Sequence, residues 1–150
     1  MQVTSLEQLK KIKINDVVEL PSFDDGTPFI AELKKPNMMM LMANGNIPNT
    51  LLNVAMDIFK NNKTKEVIDK ALDDPTDFKV LTNLLVVLAE ACLVKPSYKQ
   101  LKDIGIELNE DQLSAILTYS QGGIKALETF RNKQANLKDI KSINEVQQTP

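Results

Sequence analysis

The chain has 150 residues, 43% of them hydrophobic, a formal net charge of -2 and a pI of about 5.2, a length that supports one hydrophobic core and not two. No basic field draws such a chain to nucleic acid or to an anionic membrane, and every basic residue of the 18 except Arg131 is lysine, whereas planar recognition of phosphate and guanine recruits arginine. Histidine is absent and Cys92 is the only cysteine, which excludes an intrachain disulfide and leaves a thiol nucleophile without a histidine base.

Taken in order, Ser5-Leu6-Glu7-Gln8 has the form of a capping box and predicts a short helix to Lys11, with Leu6 and Leu9 inward. The opening stretch lacks an apolar signal core, and the longest apolar run, Leu84 to Ala89, is too short to span a bilayer, so a cytosolic protein is expected. Ile12, Ile14, Val17, Val18 and Leu20 read as strand, Phe23-Asp24-Asp25-Gly26-Thr27-Pro28 supplies Asp-Gly turn chemistry, and Phe29 to Leu33 alternates. This is a β-hairpin of two or more strands over 12–34, which needs the helices that follow, or another chain, to be stable. Asp24-Asp25-Gly26 lacks the later ligands and closing glutamate of a calcium loop and reads as a turn.

Next comes Met38-Met39-Met40-Leu41-Met42, holding four of the six methionines. At about 100° per residue, Met38, Leu41 and Met42 share one helical face, Met39 lies to the side and Met40 nearly opposite. One core cannot bury them all. Two readings stand: a core helix between the hairpin and a helical body, or a helix that gives Met39 and Met40 to a partner or a second copy, a task that flexible, polarisable methionine suits.

Gly45-Asn46-Ile47-Pro48-Asn49 lacks the second glycine and the Lys-Ser/Thr pair of a phosphate loop; Pro48 ends the Met helix, and Asn49 or Thr50 can cap the next. There Leu51, Val54, Ala55, Ile58 and Phe59 follow buried-stripe spacing. Thr64 to Leu72 offers a further helix with Val67, Ile68, Ala71 and Leu72 inward. Asp74-Pro75-Thr76-Asp77 is a strong start signal for a central buried helix reaching about Val94, and Pro96 stops it. Ser97 to Gln100 opens a short turn or helix, Asn109 to Gln112 caps another through Ser120, and Gly122-Gly123 breaks or bends it before Ile124, Leu127 and Phe130 resume a stripe.

The fold expected is therefore α+β and mostly α-helical, with a small antiparallel hairpin sheet followed by five to six helices. Residues 1–131 form a single domain, with the helical body over 36–131, and 132–150 form a flexible tail. The serines sit at caps, turns and helix surfaces. The acidic clusters Asp73, Asp74, Asp77 and Glu107, Glu110, Asp111 precede predicted helices, where acids favour the positive end of the dipole over acid-base or metal work. No catalytic, cofactor or metal residue is assigned, and an enzyme is not expected.

Val18 to Phe29, Leu33 to Met42, Gly45 to Leu52, and Tyr119 to Arg131 form an ordered set: Val-Glu-Leu-Pro-x-Phe-x-Asp-Gly-x-Pro-Phe, Leu-Lys-Lys-Pro before an apolar helix, Gly-Asn-Ile-Pro-Asn-x-Leu-Leu, and Tyr-Ser-Gln-Gly-Gly-Ile-Lys-Ala-Leu-Glu-x-Phe-Arg. In this order the chain resembles the tail assembly chaperones of long, non-contractile-tailed phages and prophages, over most of residues 13 to 131. The resemblance implies a non-enzymatic protein of the host cytoplasm, absent from the mature virion, that binds the tape measure protein, keeps it soluble and helps the tail tube protein polymerise around it. It also implies that a longer frameshifted product can exist. The partner-binding candidates are Met38, Met39, Met40 and Met42, with Phe23 and Phe29 as neighbours, and copies of the chain are expected to associate through a hairpin edge or the Met helix. The rival reading is a head-to-tail or tail-terminator adaptor that stays in the particle.

Overall fold

Alternation along the hairpin puts Val18, Leu20, Phe29, Ala31 and Leu33 on one side of a sheet, and all five are buried. In the computed structural model, which describes the backbone of residues 1–148 and the side chains of residues 1–137, β1 (Asn15–Leu20) pairs antiparallel with β2 (Phe29–Lys34) in the register Leu20↔Phe29 to Asn15↔Lys34. The connecting turn is closed by Asp25, whose carboxylate accepts the Thr27 N–H at 2.9 Å and is held below the usual carboxylate range by that bond. A third strand, β3 (Leu93–Lys95), extends the sheet on the other side of β2, giving the order β1-β2-β3.

The helices are α1 (Leu6–Lys10), α2 (Met38–Ala43), α3 (Leu52–Phe59), α4 (Thr64–Asp73), α5 (Pro75–Cys92), α6 (Tyr98–Asp103) and α7 (Glu110–Gln148). The α+β, mostly helical architecture is as the sequence predicts. Details differ. The capping box at Ser5 forms, yet α1 buries nothing, because Leu6 and Leu9 have no body element beside them. Strand geometry starts at Asn15, so Ile12 and Ile14 precede the sheet and are exposed. The central helix stops at Cys92, where β2 offers free backbone groups to Leu93–Lys95 and the chain exchanges helical bonds for sheet bonds. Neither Asn49 nor Thr50 caps α3; a single 3-10 turn, Asn49–Leu51, leads into it instead. The predicted tail begins within α7, whose backbone continues to Gln148, and most of 132–150 lies beyond the residues whose side chains are described.

Two clusters make the core. The sheet packs on Ala89, Cys92, Leu101, Ala115, Ile116, Tyr119 and Leu127. A helical cluster gathers Ile47, Leu51, Ala55, Ile58, Ala71, Leu81, Leu84, Leu88 and Leu117. Helix α5 threads both, with Leu81, Leu84 and Leu88 in the helical cluster and Ala89 and Cys92 in the sheet cluster. Burying each large aliphatic side chain contributes about 1.5–3 kcal/mol, so this shared helix is the spine of the molecule. Its start is set as predicted: the Asp74 carboxylate accepts the N–H groups of Thr76 at 2.8 Å and Asp77 at 3.3 Å.

Helix α7 bends where Gly122-Gly123 predicts it, with Gly123 at φ 73° and ψ -156°, a conformation an L side chain rarely adopts. A Cβ at Gly122 would meet the Ala126 Cβ at 2.5 Å, so both glycines are needed. The bend returns Leu127 to the sheet cluster, where it is buried.

Candidate functional site

Helix α2 is only six residues long, too short to hold itself together in water, and it is fixed at both ends. Asn37 caps it, its side-chain oxygen accepting the Met40 N–H at 3.1 Å. At the other end Gly45 adopts φ 72°, and the Asn46 N–H reaches the Leu41 carbonyl at 3.1 Å, the closing bond of a Schellman motif. The next residue, Ile47, is buried in the helical cluster and anchors the exit.

Between these fixings the five residues divide by angle. Met38, Leu41 and Met42 are half-buried against the helical cluster. Met39 is 75% exposed and Met40 49% exposed. The predicted split between an inner and an outer face is therefore present, with Met39 the more open of the outer pair. No residue of α2 is fully buried. What results is a pinned apolar surface of adaptable side chains, with no titratable group of its own.

The two phenylalanines lie elsewhere. Phe29 is buried and Phe23 half-buried in the sheet cluster, their ring centroids 4.8 Å apart at 44°. They brace the β1–β2 turn as an aromatic pair, while the methionines belong to the other cluster, so the structure does not unite the six candidates in one surface.

Polar groups that sequence reasoning missed hold the sheet end. Gln112, fully buried, donates to the Pro21 carbonyl at 3.0 Å and accepts the Asn109 N–H at 2.9 Å, while Asn109 caps Gln112 in return and donates to the Ser22 carbonyl and Asp24. The cap was legible; its reach across to residues 21–24 was not, since no local pattern encodes a contact that far away in sequence. Tyr119 is buried, and its hydroxyl donates to Asp16 Oδ2 at 2.7 Å; burial first, then this carboxylate, raises its pKa above the ordinary tyrosine range. Cys92 is buried and unpaired, and burial pushes its thiol up to about 12, the opposite of what a nucleophile requires.

A polar cleft of about 660 Å³ lies between the end of β1 and helix α7, lined by Glu19, Ser22, Asp111, Glu128 and Arg131. Arg131 spans it to Glu19 at 3.5 Å. Among the described residues no three acid, cysteine or histidine side chains stand close enough together to hold a metal ion, and no helix is long and apolar enough to cross a membrane. In comparisons with known proteins, no family model matches the chain, and no curated protein or solved structure matches it.

Proposed function

We propose that this chain is a tail assembly chaperone of the long, non-contractile-tailed phage type, a non-enzymatic protein that binds the tape measure protein in the host cytoplasm, keeps it soluble while the tail tube is built, and leaves before the virion is mature. The observation that carries the reading is helix α2: capped at both ends, half-buried along one face, and presenting Met39 and Met40 outward. A client made of long apolar helices needs a surface that fits many side-chain shapes in succession, and unbranched thioether side chains on a fixed backbone supply one. Met38 and Met42 set the helix on the body, and Met39 and Met40 make the contact. The phenylalanine pair takes no direct part.

Co-expression with the tape measure protein encoded beside it, followed by soluble pull-down, tests this. Wild type is expected to bring the client into the soluble fraction, and Met39→Lys/Met40→Lys to lose it while keeping the wild-type circular dichroism spectrum. A client that stays insoluble with wild type sinks the reading. Recovery of the chain from purified particles favours instead the adaptor that remains in the virion.

A further inference from the structure

Among the exposed apolar surfaces of the described residues outside α2, two carry opposite charge at their borders. The first is the N-terminal arm. Helix α1 forms with its full capping box yet buries no residue, and the turn continues through the Ile12 N–H bond to the Leu9 carbonyl at 3.1 Å. Leu6, Leu9 and Ile12, three residues apart, thus stand in one exposed row. Lys10, Lys11 and Lys13 flank it against the single acid Glu7. A five-residue helix with nothing packed on it is far below the length that is stable alone in water.

The second is a shallow groove of about 420 Å³ where α4 meets α5, lined by Ala71, Leu72, Asp73, Asp74, Pro75 and Phe78. The helical stripe of α4 predicts Leu72 inward, but it is 72% exposed, Phe78 is 51% exposed, and Ile68 lies one turn before Leu72 on the same face. Asp73 and Asp74 line the groove with no cation among the lining residues, Asp69 lies one turn before Asp73 on α4, and Asp77 holds Lys70 at 3.8 Å. The arm is apolar with a basic border; the groove is apolar with an acidic one.

We propose that the arm of one copy docks in the α4–α5 groove of a second copy, Leu6, Leu9 and Ile12 meeting Leu72 and Phe78, and Lys10 and Lys11 meeting Asp69 and Asp73. Docking within one chain is out of reach. Asn15 pairs beside Lys34, next to Leu33 and its partner Leu93 just past the end of α5, whereas the groove opens at the start of α5. Eighteen residues of helix separate the two poles by roughly 27 Å. The whole arm, about 9 Å of helical rise from Leu6 to Ile12 and about 10 Å from there to Asn15, falls short of that. The contact is heterologous: each pair leaves one arm and one groove unused. It does not depend on the chaperone reading, since no client residue enters it.

Sedimentation velocity over a concentration series, with the full chain alone, tests the proposal. Wild type is expected to self-associate beyond a dimer. Leu6→Glu/Leu9→Glu in the arm and Leu72→Glu in the groove alter exposed side chains only, so each keeps the wild-type circular dichroism spectrum and weakens association on the order of 100-fold. Mixed together, the two variants form a one-to-one complex and stop there, because one supplies the intact groove and the other the intact arm. Lys10→Asp/Lys11→Asp weakens association, and Asp69→Lys/Asp73→Lys in a second chain restores it. A wild type that stays monomeric up to its solubility limit, variants that associate as wild type does, or a mixture that remains monomeric each overturns the proposal.

Discussion

The two ends of α5 are built on different physical terms. At the sheet end, directional bonds cross between elements that are distant in sequence: Gln112 to Pro21, Asn109 to Ser22, and Tyr119 to Asp16 and the Leu33 carbonyl at 3.4 Å. At the helical end, apolar side chains pack together, and the polar links described between elements, Gln121 to Thr64 and Lys70 to Asp77, are exposed. Buried hydrogen bonds fix one geometry, because a partner displaced leaves a costly orphan. Packing among methionine, leucine and alanine tolerates adjustment. The end held by bonds buries the inner face of its sheet and leaves Val17 and Ile30 open on the outer one, and the end held by packing leaves Met39, Met40, Leu72 and Phe78 open. The two poles thus differ in how they are held, by directional bonds at one and by adaptable packing at the other.

The largest effects that break this contrast come from core truncation. Leu33→Ala and Leu84→Ala both remove fully buried side chains and should each cost about 2–5 kcal/mol. Urea denaturation is expected to place Leu84→Ala lower in that range, because its cluster is bordered by partly buried, adaptable side chains that can close part of the cavity; equal costs would dissolve the distinction. Next, Gln112→Ala removes a cap and leaves the Pro21 carbonyl unpaired, for about 1–3 kcal/mol, and Tyr119→Phe about 1–2 kcal/mol, both read by thermal unfolding.

Alkali should act on the sheet end first. The Cys92 thiol moves from an ordinary 9.0 to about 12, and Tyr119 also shifts upward. A group held protonated in the folded state contributes stability that is intact below its unfolded value and is lost as pH rises toward its folded one. Stability is therefore expected to fall from about pH 9 upward, and Cys92→Ala should flatten that fall; an unchanged pH profile contradicts it. The smallest effect on stability belongs to Met39→Lys/Met40→Lys, expected within about 0.5 kcal/mol of wild type. A loss of several kcal/mol would return these side chains to the core.

Much of this was legible in the sequence because it is local. The capping boxes at Ser5 and Asn109, the Asp74-Pro75 start, the Asp25-Gly26 turn and the glycine break each rest on residues within four positions of one another. The inner face of α2 followed from helix geometry, but Met39, which that geometry puts to the side, is more open than Met40, which it puts opposite. What periodicity could not reveal was whether an apolar stripe has a neighbour to cover it. Leu6, Leu9, Ile68 and Leu72 have the spacing of core residues, and the chain fails to bring anything over them. Strand β3 was hidden for a related reason: Leu93–Lys95 is sheet only because β2 lies beside it. Phe29 could be read as core or as a neighbour of the methionine surface, and strand alternation opposite Leu20 turns it inward against Phe23.

The bonds from Asn109 and Gln112 to residues 21–24 also bear on the order in which the chain acquires structure. They join positions 85 to 91 residues apart, whereas the helical cluster draws on Ile47 to Leu88 and receives only Leu117 from farther along. Closing the long loop costs entropy before any contact repays it. The sheet end should therefore be the late event, with Gln112 and Tyr119 variants changing mainly the unfolding rate and Leu84 variants slowing refolding. On a ribosome the hairpin waits for α7, and until that helix is made the inner face of the sheet, Phe29 and Leu33 included, remains open to solvent.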